Sequence, residues 1–413
     1  MKHGVLSMID LTVHPQQLER AVQRARENRI VIPTFAQMRD PALIPEAIKK
    51  QLRHVGLWDV NPLNLFRISW HNEPTMSGGA YGPVNFIELP SVLTGVKARI
   101  IVLCGKWFPT GCHKVGASFG CLAPRLVTGQ FDPTYNKAVW PSTGNYCRGG
   151  AYNSKLLGCE SVAILPAEMS KERFDWLSKI AGEVIATPGC ESNVKEIFDK
   201  TWELRRTRKD VVIFNQFEEM GNVLWHYQVT GKAIADAYES LKTDTTRFAG
   251  ACFTSGSAGT MSAGDYLKEQ YPHAKLAVGE ALQCPTLLEN GFGGHRIEGI
   301  GDKHVPWVHN VKNTDMVIDI DDEDSQNLLR LFNTEDGHRY LTEIVGVPKE
   351  TVDQLSLLGI SGIANVLCCI KFAKYYELTE NDVVATVGTD SAEMYTSRIA
   401  ELNEQQGAYD MLT

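Results

Sequence analysis

The sequence predicts an α/β fold of two domains, each with a mostly parallel, twisted sheet flanked by helices, behind an N-terminal helical extension. The chain has 413 residues, which is longer than one hydrophobic core supports, so more than one domain is expected. From about residue 98 onward, short runs rich in β-branched residues alternate with segments of helical length. Such repeated βα units are typical of parallel sheets with helices on both faces.

The strands of this prediction are apolar runs bounded by turn residues. They are RIIVLC (99–104), KAVWP (137–141), SVAILP (161–166), EVIAT (183–187), VVIFN (211–215), RFAGACFTS (247–255) and KLAVGE (275–280). Residues 1–75 differ, because two helical stretches at 16–29 and 41–54 precede a loop-rich passage. We expect this extension to pack on the main body or on a second subunit, since its apolar positions need cover.

Charge and composition exclude several classes of function. The net charge is −8 and the longest basic run is the short RRTRK (205–209), so the chain lacks the positive surface that nucleic-acid binding needs. The apolar segment at 359–370 is too short to span a bilayer, and no signal peptide is evident. Ten cysteines occur without a CxxC pair, which predicts free thiols in a reducing compartment. We therefore expect a cytoplasmic protein with no nucleic-acid or membrane partner.

Lys114 is the most informative single residue. It lies in KWFPTGCHKVGASFG (106–120), between a glycine-containing turn that follows a buried strand and a helix start rich in small residues. An amine in that position can bond covalently to a carbonyl group of a ligand. A lysine on the solvated first turn of a helix is the alternative that this segment alone leaves open.

Glycine-rich loops follow three of the predicted strands. STGNYCRGGA (142–151) combines hydroxyls, the Asn145 amide and the amides of a helix start, which suits a carboxylate, although a capped turn has the same composition. In SGSAGT (255–260), small residues let backbone amides approach a phosphate, unless the loop is only a structural turn. The third loop (289–306) contains His295 and His304, but their spacing fits no regular ligand geometry, so no metal is predicted.

A Schiff-base amine, a carboxylate loop and a phosphate loop together suggest pyridoxal 5'-phosphate (PLP). Over about residues 82–396, the chain resembles the fold type II PLP enzymes, in the cysteine synthase and cystathionine β-synthase group of the tryptophan synthase β superfamily. The resemblance is carried, in order, by PTGCHKVGA, the loop at 142–151, NQFEEMGN, GSAGT, EGIGDKHVP, GISGIANV and TDSAEMY.

The resemblance implies a role for each matched residue. Lys114 would hold the cofactor and move a proton, and Asn145 would contact the ring hydroxyl. The phosphate would bind at Gly256, Ser257, Ala258, Gly259 and Thr260. Ser361 would stand beside the ring nitrogen, with Thr389 and Ser391 as the other candidates. The substrate carboxylate would be held by Ser142, Thr143, the backbone of Gly144 to Tyr146, and Gln216.

Departures from the family pattern concern the substrate loop and the ring nitrogen. Tyr146 and Arg148 replace small residues, so we expect them to enlarge and charge the rim of the pocket. Arg148 would then bind a second acidic group of the substrate, or else it is a surface arginine paired with a helix neighbour. A neutral hydroxyl such as Ser361 would leave the ring nitrogen unprotonated, which favours elimination over transamination.

The resemblance implies a lyase or transferase that acts on an amino acid. The substrate would displace Lys114 from the cofactor, and the freed amine would then remove the α-proton before a β-substituent leaves. We expect β-replacement of cysteine synthase type. A β-eliminating lyase or deaminase that releases pyruvate and ammonia, a subunit of a heteromeric complex docked through the extension, and a non-catalytic cofactor-binding protein all remain open.

The resemblance also implies a homodimer and a division of the chain. An extension (1–75) would precede a large PLP-binding domain (76–110 and 226–413). A small mobile domain (111–225) would carry the substrate loop.

Overall fold

The structure is a computed structural model that describes residues 9–142, 144–169, 171–189, 194–301 and 303–410. Its strands are β1 (Phe86–Leu89), β2 (Arg99–Cys104), β3 (Lys137–Pro141), β4 (Glu160–Pro166), β5 (Glu183–Thr187), β6 (Val211–Ile213), β7 (Arg247–Thr254), β8 (Lys275–Ala281), β9 (Met316–Ile320) and β10 (Asp382–Gly388). Seven of these coincide with the predicted runs to within two residues at either end.

The helices are α1 (Pro15–Glu27), α2 (Phe35–Arg39), α3 (Glu46–Leu52), α4 (Ser91–Thr94), α5 (Lys114–Thr128), α6 (Asn145–Leu156), α7 (Lys171–Ile180), α8 (Val194–Thr207), α9 (Met220–Trp225), α10 (Gly231–Leu241), α11 (Met261–Gln270), α12 (Thr286–Glu289), α13 (Asp322–Leu331), α14 (Glu335–Arg339), α15 (Lys349–Val352), α16 (Ile360–Tyr375) and α17 (Thr396–Gln406). None of the described helices is both long enough and apolar enough to cross a membrane.

The strands form two sheets. The larger has six strands in the order β1-β2-β10-β7-β8-β9, and the smaller has four in the order β5-β4-β3-β6. Every pairing is parallel except that of β1 with β2. The predicted α/β class with two mostly parallel sheets is therefore confirmed. The division into domains and the mobility of the smaller one remain predictions.

Both faces of the large sheet are buried. In β2, Ile101 and Leu103 belong to a core cluster that also contains α5 and α6 side chains, while Ile100 and Val102 belong to a second cluster with α16. This arrangement explains why RIIVLC is a continuous apolar run and not an alternating one.

The sheet order brings three loops together. β10 lies between β2 and β7, and the three strands run parallel. Their carboxyl ends therefore share one edge of the sheet, the edge at which open α/β sheets bind ligands. Lys114 follows β2, the loop at 255–260 follows β7, and residues 389–391 follow β10. The predicted lysine and phosphate loop are thus neighbours.

The N-terminal extension packs on the body of the chain. The amide of His14 donates to the Thr128 carbonyl at 2.8 Å, at the end of α5. Phe35 meets Phe119 of α5 edge-on, with ring centroids 6.2 Å apart, and Asn64 donates to the Tyr152 hydroxyl of α6 at 3.2 Å. These contacts support the first of the two placements expected for the extension.

Three strands were not predicted. β1 has only four residues and lies at the edge of the sheet. In β9, Asp319 interrupts the run of apolar residues. β10 is fully buried but contains Ala385 and Thr386, so its apolar pattern is weak. The omission of β10 matters most, because this strand delivers residues 389–391 to the candidate site.

Candidate active site

Lys114 is the first residue of α5, and its side chain is half-buried. Its Nζ atom donates to Ser257 Oγ at 3.1 Å and to Gln216 Oε1 at 3.5 Å. These partners come from two other predicted site segments, distant in sequence. Lys114 is therefore inside a polar cluster and not on a solvated turn, which removes the alternative that its own segment left open.

Gln216 and Asn222 extend this cluster. Gln216 Nε2 donates to Ser142 Oγ at 3.5 Å, so the amine, the glutamine and the first hydroxyl of the substrate loop form a chain. Asn222 Nδ2 donates to Ser257 Oγ and to the Gln216 carbonyl, both at 3.1 Å. Asn222 is fully buried and was missed in the sequence, although it ends the quoted segment NQFEEMGN. It fixes the positions of both partners of the amine.

The loop at Gly256 to Thr260 presents unused backbone donors. Among the described residues, its five N–H groups have no hydrogen-bond acceptor, and the loop leads directly into the N-terminus of α11. Ala258 has a positive φ of 59°, an unusual conformation for a residue with a side chain. Successive free amides at a helix start attract anions. The geometry therefore fits the predicted phosphate site.

Asn145 leads to a carboxylate that the sequence reasoning missed. Its Nδ2 donates to Asp390 Oδ2 at 2.6 Å, and the Tyr395 hydroxyl donates to the same oxygen at 2.9 Å. Asn145 Oδ1 is buried and has no hydrogen-bond partner within the described chain. The sequence did contain a sign of this carboxylate. Asp390 lies between Thr389 and Ser391, the two hydroxyl residues that were considered for the ring nitrogen.

The hydroxyl candidates surround the end of β10. Ser361 is buried in the first turn of α16, and Ser391 Oγ is buried with no hydrogen-bond partner in the described ranges. The Thr389 carbonyl accepts a hydrogen bond from the His113 amide at 3.2 Å, which ties this loop to the lysine segment. All three residues lie at the predicted edge, and none is singled out by its contacts.

The Tyr146 side chain does not lie at the pocket rim. The expectation that it enlarges the rim is therefore wrong. The ring is buried against Trp140, with centroids 5.4 Å apart, and the hydroxyl lies 3.5 Å from Cys121 Sγ. Only its backbone remains at the start of α6. There the Gly144 amide donates to Ser142 Oγ at 3.3 Å. Thr143, the remaining predicted carboxylate ligand, lies outside the described residues.

Arg148 is buried, so the surface alternative is also wrong. Its guanidinium lies over Trp58 at 5.4 Å and over Trp176 at 5.0 Å, and Nη1 is 3.4 Å from Met394 Sδ. Trp58 comes from the extension, which therefore contacts the helix of the substrate loop. The guanidinium therefore makes a cation–π contact with each of two indole rings, which is stabilising. Binding of a second acidic group by Arg148 remains a prediction.

Two histidines behind the lysine are neutral. Burial, with a smaller effect of the charge on Lys114, holds the pKa of His113 well below its usual value. Burial likewise lowers the pKa of His226, whose ring lies 5.0 Å from that of His113. His226 Nδ1 and Trp70 Nε1 both contact Thr230 Oγ1. These rings therefore add bulk but no positive charge beside the amine.

Comparison with known proteins gives consistent matches. Residues 79–340 match the family model described as "Pyridoxal-phosphate dependent enzyme". The chain is 28% identical to a probable cysteine synthase of Bacillus subtilis over 290 residues, which cover 70% of this chain and 85% of the relative. It is 27% identical to cystathionine beta-synthase of Saccharomyces cerevisiae, covering 76% of this chain and 60% of that relative.

Solved structures agree on the fold. The crystal structure of a cysteine synthase from Entamoeba histolytica superposes with a TM-score of 0.64 at 19% identity, covering 76% of this chain and 87% of that one. An O-acetylserine-dependent cystathionine beta-synthase from Helicobacter pylori gives a TM-score of 0.63 at 21% identity, with 76% and 94% covered. At these identities the likeness concerns the fold alone.

Proposed function

We propose that this chain, which belongs to the family of pyridoxal-phosphate-dependent enzymes, catalyses β-replacement on an amino acid in the manner of a cysteine synthase. Family membership confirms the predicted cofactor and the resemblance to fold type II enzymes. The chain of contacts from Ser257 through Lys114 and Gln216 to Ser142 is the observation that carries the proposal. It joins the predicted phosphate loop, amine and substrate loop in one cluster.

The residues present suit PLP. The free amides of Gly256 to Thr260 would hold the phosphate, Lys114 would bond the aldehyde carbon, and Asn145 would contact the ring hydroxyl. Ser361 is the hydroxyl that we place nearest the ring nitrogen. When bound, PLP supplies an aldehyde that captures an amine and a conjugated ring that spreads negative charge.

The chain's own groups would orient the substrate and move its proton. Ser142, the amides at the start of α6 and Gln216 would bind the α-carboxylate, since they offer donors on one side of the amine. The Lys114 amine, held by Ser257 and Gln216, would take the α-proton as a general base and return it later. Ser142 and Gln216 also line a small pocket, together with the apolar side chains of Pro141, Ile197, Phe198 and Phe217.

One titration tests the proposal. The purified holoenzyme is mixed in turn with O-acetylserine, O-phosphoserine, cysteine, serine and threonine, with and without sulfide, while the visible absorption spectrum and the products are followed. We expect one donor to shift the spectrum and to yield cysteine only when sulfide is present. Pyruvate and ammonia without any cysteine would contradict β-replacement and favour the eliminating alternative. Lys114→Ala serves as the control without the amine.

Assembly and location are part of the proposal. We propose a homodimer in the cytoplasm. Buried free thiols such as Cys104, Cys252 and Cys368 suit a reducing compartment, which supports the proposed location. The close packing of the extension on α5 and α6 supports a structural role for it. Gel filtration with activity measurements tests this: full activity of the chain alone would rule out an obligatory partner.

A further inference from the structure

Helix α6, whose first turn would bind the substrate carboxylate, lies directly on the backbone of the lysine segment. A Cβ atom placed on Gly149 would come within 2.9 Å of the Val115 backbone nitrogen, so a glycine is needed for this close approach. Asn153, one turn further along α6, donates to the Val115 carbonyl at 2.7 Å. The packing of α6 on α5 therefore sets the distance between the Lys114 amine and the amides at the start of α6.

A neighbouring face of α6, formed by Arg148 and Tyr152, is covered by the N-terminal extension. The Tyr152 hydroxyl donates to the Asp59 carbonyl at 2.5 Å and accepts from Asn64 Nδ2 at 3.2 Å. The Arg148 guanidinium lies 5.4 Å from the centre of the Trp58 ring. Because Arg148 and Tyr152 are one helical turn apart, the extension contacts α6 along its first two turns.

Trp58 also lies against the lysine segment. A Cβ atom on Gly111 would be 2.8 Å from Trp58 Cζ2, so the edge of the indole rests on the Gly111 backbone and leaves no room for a side chain there. Gly111 precedes Lys114 by three residues, and its φ of 66° is a conformation that favours glycine. One indole ring therefore contacts both the segment that carries the amine and the helix that would bind the carboxylate.

The Trp58 side chain makes its contacts through the ring and not through a hydrogen bond. Trp176 of α7 meets it edge-on, with ring centroids 6.4 Å apart, and lies 5.0 Å from the same Arg148 guanidinium. The Trp58 Nε1 atom is buried and has no hydrogen-bond partner within the described ranges. A phenylalanine ring should therefore replace the indole in part, whereas alanine should not.

We propose that Trp58 is a positioning residue for the amino-acid substrate, because it holds the start of α6 at a fixed distance from Lys114. This rests on the carboxylate site proposed above. Trp58 lies outside residues 79–340, which match the family model, so the extension itself contributes this support. A displacement of about 1 Å in a bound substrate can slow its reaction by about 100-fold, so even a small shift of α6 has a measurable effect.

The variants separate positioning from a loss of stability. Trp58→Ala removes the ring, and Trp58→Phe retains an aromatic face without the N–H group. Phe35→Ala is the matched control, because it removes another partly buried aromatic side chain of the extension, one that packs on Phe119 of α5. If Trp58→Ala does not fold, Trp58→Leu takes its place, since leucine keeps apolar volume but offers no aromatic face.

Two measurements are made on each holoenzyme, well below its unfolding midpoint. Steady-state kinetics use the amino-acid donor that shifts the visible spectrum. Hydrogen–deuterium exchange, without substrate, is read on the peptide that contains the first two turns of α6. The exchange experiment needs no turnover, so it tests the position of α6 even if the proposed reaction is wrong.

We expect Trp58→Ala to lower kcat/KM by about 10- to 100-fold, through a higher KM and a lower kcat, and to speed exchange at the start of α6. Trp58→Phe and Phe35→Ala should remain close to the wild type in both measurements. An unchanged kcat/KM in Trp58→Ala overturns the proposal, and so does an equal loss in Phe35→Ala, because reduced stability would then explain both. If no donor reacts, the proposed function fails and exchange alone decides: faster exchange only in Trp58→Ala supports the positioning of α6, and unchanged exchange overturns it.

Discussion

Gly259→Ala tests how tightly the phosphate loop is built on Asn222. A Cβ atom at position 259 would lie 2.1 Å from Asn222 Oδ1 and 2.6 Å from Nδ2, far inside contact distance. Asn222 is fully buried and cannot move without straining its bonds to Ser257 Oγ and the Gln216 carbonyl. Overpacking costs about 1–3 kcal/mol and a weakened buried hydrogen bond about 1 kcal/mol, so we expect a loss of about 2–4 kcal/mol in the free energy of unfolding.

Urea unfolding of the chain without added PLP measures this loss, and fluorescence titration measures the affinity for PLP. Because Asn222 positions Ser257, the affinity should fall by at least about tenfold, which corresponds to 1.4 kcal/mol. Gly82→Ala is the control, since a Cβ at this exposed position meets nothing within 4 Å and should change neither quantity. If Gly259→Ala matched Gly82→Ala in both assays, the proposed support of the loop by Asn222 would be refuted.

The remaining predictions concern the carboxylate site, the extension and a buried thiol. Gln216→Ala should raise KM for the amino acid more than it lowers kcat, as steady-state kinetics would show, because the glutamine is proposed to bind the carboxylate. Trp58→Ala should destabilise the chain by about 2–3 kcal/mol in thermal or urea unfolding, since Arg148 loses one face of its aromatic contact; an unchanged midpoint would contradict this. Burial raises the pKa of Cys112 to about 12, so the reactive thiolate is scarce at pH 8. Iodoacetamide at pH 8 should therefore leave Cys112 unmodified in the native chain, as peptide mass spectrometry would show. Rapid labelling of Cys112 would contradict its burial.

The sequence alone was sufficient to predict a segment's structure where the local residue pattern matches the environment of that segment in the fold. RIIVLC is apolar throughout because both faces of β2 are covered, and the helix after it begins at Lys114 as its small residues indicate. The loop at 255–260 was predicted to present free amides before a helix, and the structure has them there; phosphate binding by this loop remains a prediction. In these segments, local pattern and final environment agree, so the pattern alone located them.

The sequence was insufficient where orientation depends on a distant partner. Tyr146 follows Asn145 directly, yet its ring turns to Cys121 and Trp140, and no local pattern encodes that direction. Asp390 was passed over because hydroxyl residues flank it, and its significance comes from a contact with Asn145, 245 residues away. Contacts of this kind arise only when the two sheets are assembled.

The central claim is that PLP is bound through Lys114, and reductive trapping tests it most directly. Sodium borohydride reduces the imine between the cofactor and a lysine to a stable amine, so that digestion and mass spectrometry identify the modified residue. The account predicts a pyridoxyl-phosphate adduct on the peptide that contains Lys114, with no adduct in Lys114→Ala. An adduct on a different lysine, or none in the wild-type chain after incubation with PLP, would contradict it.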